Sequence, residues 1–84
     1  MPYIHIRPLK KTSQSAIGVV NMLRRDSDVR RLTIMEMFVN GNDDWLVRVS
    51  CDDTEIENII KARLDLHKDM YTEYEINNEY GWTL

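Results

Sequence analysis

Arg31 to Cys51, RLTIMEMFVNGNDDWLVRVSC, is the stretch on which the fold turns. Two runs rich in β-branched, aromatic and other apolar residues, Leu32 to Val39 and Trp45 to Cys51, flank Asn40-Gly41-Asn42-Asp43. Asn and Gly tolerate the positive φ that a tight reversal needs, so the stretch reads as an antiparallel hairpin. Side chains alternate across a strand, and the parity of the loop therefore decides which of them point inward. A loop of Asn40-Gly41, or of Asn40 to Asp43, is even in length and sets Leu32, Ile34 and Phe38 on the face of Trp45, Val47 and Val49. That set is expected to meet the helices. The other face then carries Thr33, Met35, Met37 and Val39 beside Leu46, Arg48 and Ser50, and an odd-length loop exchanges these assignments.

Working outward, Tyr3-Ile4-His5-Ile6-Arg7 alternates strictly before Pro8 and reads as a first strand, with Tyr3, His5 and Arg7 on one side. Thr12 or Ser13 can cap a helix in which Ala16, Val19, Val20 and Leu23 recur at helical spacing, flanked by Ile17 and Met22. Asp26-Ser27-Asp28 reads as a turn into the hairpin. After it, Asp52 or Asp53 caps a second helix with Ile56, Ile59, Ile60 and Leu64 as its apolar stripe, ending near His67. Met70 to Ile76 alternates again as a last strand, and Asn77-Asn78 breaks it. The predicted domain spans residues 1–78. Residues 79–84 form a C-terminal tail with two aromatics, Tyr80 and Trp82, where a solvated terminus would carry none.

The predicted order is βαββαβ, an α+β arrangement that resembles the ferredoxin-like fold: a four-stranded antiparallel sheet, strands one and three central, with two helices on one face. The resemblance rests on element order alone and carries almost no functional information.

At 84 residues the chain has material for one small domain, and 43% hydrophobic with 30% charged residues is a globular composition. Cys51 is the only cysteine, which excludes an intramolecular disulfide and fits a reducing compartment. The N-terminal residues lack the basic start and apolar middle of a signal peptide, and no apolar run approaches bilayer length. A cytoplasmic protein with no membrane partner is expected. The net charge of −3 conceals a polarity along the chain: residues 1–31 hold seven basic and two acidic side chains, residues 32–84 four basic and twelve acidic. The basic part includes Arg24, Arg25, Arg30 and Arg31, candidates for nucleic-acid contact. Pairing with Asp26 and Asp28 is the simpler account of them. Lys10 and Lys11 stand apart, since a helix of about 12 residues separates its ends by roughly 18 Å.

The sheet face left open by the helices would present Tyr3, His5, Arg7, Met35, Met37, Leu46 and Arg48, too apolar for idle surface. A homodimer, a protein partner that exploits adaptable methionines, or single-stranded RNA would each suit it. Asn42 to Val49 does not match the aromatic RNP1 pattern of RNA-recognition motifs. No motif names a reaction, a metal or a cofactor. His5 and His67 lack metal-ligand spacing, Asp43, Asp44, Asp52 and Asp53 lack the loop of a dedicated calcium site, and the acidic neighbours of Cys51 oppose a thiolate. His5, Arg7 and Glu75 could support acid-base work, but nothing in their spacing demands it. The expectation is a small non-enzymatic regulatory or inhibitory protein, homodimeric, acting on RNA or on a protein that handles it. The alternatives are an ACT-like ligand-regulated module and a small ferredoxin-like enzyme.

Overall fold

A computed structural model describes residues 2–84. β1 (Tyr3–Pro8) leads into α1 (Ser13–Arg24) and a short helix α2 (Ser27–Leu32); the hairpin follows as β2 (Thr33–Val39) and β3 (Trp45–Cys51), then α3 (Thr54–Leu66) and, after a 3₁₀ turn at Lys68–Met70, β4 (Tyr71–Asn77). The four strands form one sheet in the order β2-β3-β1-β4, and the pairs β1–β3, β1–β4 and β2–β3 are all antiparallel. β1 and β3 are central, and β2 and β4 are the edges.

Local chemistry starts each helix. The Thr12 hydroxyl accepts from the Ser15 amide at 3.2 Å, and Asp53 accepts from the Glu55 and Ile56 amides at 2.8 and 3.4 Å. Asp26 does the same for Asp28 and Val29, at 2.9 and 3.1 Å, so the expected turn is in fact the start of α2. The correction has a tertiary cause: α2 drops Val29 into the core between α1 and α3. Six residues could not hold a helix alone, because nucleation is unfavourable without packing.

The core lies between the helices and one sheet face. Ala16, Val19, Met22 and Leu23 of α1 and Ile56, Ile60 and Leu64 of α3 pack on Ile4, Ile6, Val47 and Val49, all at most 4% exposed. Full burial of each large aliphatic side chain contributes about 1.5–3 kcal/mol.

The hairpin loop is odd in length, and this overturns the expected faces of β2. Asn40 N–H donates to the Asp44 carbonyl at 3.1 Å, closing a loop of Gly41, Asn42 and Asp43; within it the Asp43 amide donates to the Asn40 carbonyl at 3.1 Å. The Asn40 side-chain oxygen also accepts from the amides of Asn42 and Asp44, at 2.9 and 3.1 Å. The positive φ, 62°, falls on Asp43, and neither Asn40 nor Gly41 has one. This is the three-residue hairpin in which a turn is followed by one left-handed residue. Its register sets Val39 against Trp45, Met37 against Val47 and Met35 against Val49. Met35 and Met37 therefore lie on the helix side, where Met35 packs against the core, and Ile34 and Phe38 lie on the other. Leu32 ends α2 and is exposed.

Candidate functional site

On the sheet face away from the helices, the register aligns His5 with Arg48 and Glu75, Tyr3 with Ser50 and Asn77, and Arg48 with Glu36. Five of the seven residues expected there, Tyr3, His5, Arg7, Leu46 and Arg48, share this face; Met35 and Met37 are replaced by Ile34, Glu36 and Phe38. The face is not open. His5 and Leu46 are completely buried and Arg48 is 7% exposed, because residues 79–84 fold back across them.

The tail is held by side chains of the sheet rather than by a strand ladder. Arg48 Nη1 donates to the Tyr80 carbonyl at 2.9 Å, and its guanidinium lies 3.8 Å from the Tyr80 ring centroid and 4.7 Å from that of Phe38. Its other side faces the Glu36 carboxylate at 3.4 Å, to which the Tyr80 hydroxyl donates at 3.2 Å. Trp82 meets His5 and Phe38 edge-on, with Arg7 5.5 Å from its ring centroid. Arg7 also donates to the Leu84 carbonyl and to Glu73, both at 3.3 Å, and faces the buried Asp44 carboxylate at 3.6 Å.

These partners assign the His5 tautomer. A backbone carbonyl only accepts, so Nε2 carries the proton that goes to the Tyr80 oxygen at 3.3 Å. In the neutral ring Nδ1 then accepts from the Thr83 hydroxyl at 3.0 Å, and that hydroxyl accepts from Asn77 Nδ2–H at 3.1 Å. Burial pushes the His5 pKa below its usual 6.5 and Arg48 adds to this, against the opposing effects of the Tyr80 hydrogen bond and Glu75. With its two nitrogens committed to the tail, His5 is no free general base. Cys51 is buried, donates to the Asp53 carbonyl at 3.2 Å, and burial raises its pKa, opposite to what a nucleophilic thiolate needs.

The arginines occupy a different place. Arg24, in the last turn of α1, and Arg30, in α2, line a cleft of about 230 Å³ with Val20, Thr33 and Met35. Arg31 pairs with Asp28 at 3.1 Å; among the described residues Arg24, Arg25 and Arg30 make no ion pair. The expected pairing with Asp26 does not form, since that carboxylate is taken up in capping α2. No group of three metal-ligating side chains comes together among the described residues, and no helix there is long and apolar enough to cross a membrane.

The sequence carried one sign of the closed face, the two aromatics of the tail. It carried no sign that Glu36, Phe38 and Asn77 would be the residues that receive them. Scanned against protein-family models and against curated proteins, the chain matches none. Among solved structures, it is similar to the solution NMR structure of a de novo designed protein with ferredoxin fold, at 17% identity and a TM-score of 0.43, over 99% of this chain and 89% of that one.

Proposed function

We propose that this chain is a small non-enzymatic binding protein with a ferredoxin-like arrangement, and that it takes single-stranded RNA through the arginines at the junction of α1 and α2. One observation carries this reading: Arg24 and Arg30 flank a single cleft, with no carboxylate neutralising either among the described residues, on a protein of net charge −3. Guanidinium groups bind phosphate bidentately, and Val20 and Met35 add apolar lining against which a base can lie. The overall acidity disfavours indiscriminate binding of polyanions and leaves the local patch as the contact.

The sheet face is not the RNA-binding surface proposed. Tyr3 meets the Tyr80 ring edge-on and the central residues of that face lie under the tail.

The test is a titration of labelled single-stranded RNA at two salt concentrations. Binding should weaken as salt rises, because each neutralised phosphate releases a counterion, and substitution of Arg24, Arg25, Arg30 and Arg31 by glutamine should abolish it. Absence of binding at low salt, or affinity unchanged in the quadruple variant, refutes the reading.

A further inference from the structure

The two edges of the sheet are finished differently. β4 carries Glu73 and Glu75 on the tail side, and the chain turns back over the sheet from its end. β2 has no lysine or proline in Thr33–Val39, and its single charge, Glu36, is engaged by Arg48. Three large apolar side chains are exposed along it, Ile34 at 65%, Met37 at 39% and Val39 at 43%, and Leu32, which ends α2 just before it, is exposed at 43%. They occur on both faces of the strand, Met37 and Val39 toward the helices and Ile34 toward the tail. The other exposed large hydrophobics, Leu9, Ile17, Leu66 and Tyr80, are scattered over separate elements. Edge strands that remain unpaired are normally blunted by charge, proline or a covering segment, because their free N–H and C=O groups template another strand.

We infer that β2 pairs antiparallel with β2 of a second copy across a two-fold axis, joining the two four-stranded sheets into one. The strand is suited to its own copy in a specific register. Centred on Glu36, the pairing would oppose two carboxylates. Centred on Met37, it sets Met37 against Met37 and Met35 against Val39 of the second copy, while Glu36 meets Phe38. The same register brings the α2 end of one copy, with Arg30 and with Arg31 in its exposed pair with Asp28, alongside the hairpin loop of the other, with the exposed Asp43, which makes no ion pair among the described residues. Apolar residues thus meet along the helix-side face, and the basic end of each copy meets the acidic loop of the other. This inference does not depend on RNA binding.

Sedimentation velocity at micromolar concentration should show a dimer for the unmodified chain and a monomer for Met37→Lys and for Val39→Lys, each with far-UV circular dichroism unchanged. In Met37→Cys, mild oxidation should give a dimer linked through position 37, since directly opposed residues have Cβ atoms about 4.5–5.5 Å apart. The unmodified chain, whose Cys51 is buried, should not cross-link. A monomeric unmodified chain overturns the inference, as does a dimer that persists in both lysine variants. Should either lysine variant fail to fold, the cross-link decides: its absence under conditions that oxidise the thiol also overturns the inference.

Discussion

Ile4 and Ile6 lie under the helices, and their chain neighbours Tyr3, His5 and Arg7 lie under the tail, so the same strand helps build two differently closed faces. On the helix side, aliphatic side chains interlock with α1, α2 and α3 over a continuous core. On the tail side, a few residues without regular structure are held by arginine, histidine and asparagine side chains and by aromatic edges. The first closure is non-directional and scales with buried area; the second depends on particular protonation states and geometries. The helix side should therefore carry the fold, while the tail side can open without global unfolding.

The largest test of that difference is Leu23→Ala. Leu23 is fully buried, so its truncation leaves a cavity and should cost about 2–5 kcal/mol of stability, read as a lowered denaturant midpoint for the whole domain. Trp82→Ala should cost less, about 1–2 kcal/mol, because Trp82 is only half-buried and its Nε1–H has no partner among the described residues to lose. Hydrogen exchange should then accelerate in residues 79–84 and at the sheet positions beneath them, and stay slow in α1 and α3. Global acceleration would show that the two closures are not separable.

A smaller effect, of opposite sign, is expected at the loop whose register divides the faces. Asp43 holds φ 62°, a conformation that costs an L-residue with a side chain more than it costs glycine. Asp43→Gly should accordingly raise stability by about 0.5–1 kcal/mol in thermal or denaturant unfolding. A loss would mean that the carboxylate does something the loop geometry does not show.

The smallest effect is confined to a pH window. The folded-state pKa of His5 lies below 6.5, so between that lowered value and 6.5 the unfolded chain binds the proton more readily than the folded one. Stability from this group is full above pH 6.5 and is lost as pH falls through the folded pKa. Protonated Nδ1 cannot accept from Thr83, and the new charge is opposed by Arg48, with Glu75 only partly offsetting it. In a Trp45→Phe background, Trp82 fluorescence should report tail release over this window, and His5→Gln should remove the transition. A transition unchanged by His5→Gln would assign it to another group.

Much of the fold is legible in local pattern. The alternation of Tyr3 to Arg7 and Met70 to Ile76, the helical spacing of Ala16, Val19 and Leu23, and caps at Thr12 and Asp53 are short-range signals, and the structure follows them. α2 escaped that reading because its capping aspartate and turn-forming residues look alike until Val29 finds its place in the core. The candidate site was half legible. Tyr3, His5, Arg7, Leu46 and Arg48 could be placed together from alternation alone, but the residues facing them from β2 depended on a loop whose parity is not a local property of the strand.

The amino-acid sequence by itself determined the strands, the long helices and the split of charge between the arginines of the first part and the carboxylates of the second. Tertiary structure decided which face each β2 side chain serves and what covers the second face. Alternation leaves two mirror choices of register, which a single left-handed residue, Asp43, resolves by making the loop odd. The tail could be assigned a place only once Arg48, His5 and Asn77, remote in sequence, had been brought to one surface where their donors converge on its Tyr80 carbonyl and Thr83 hydroxyl.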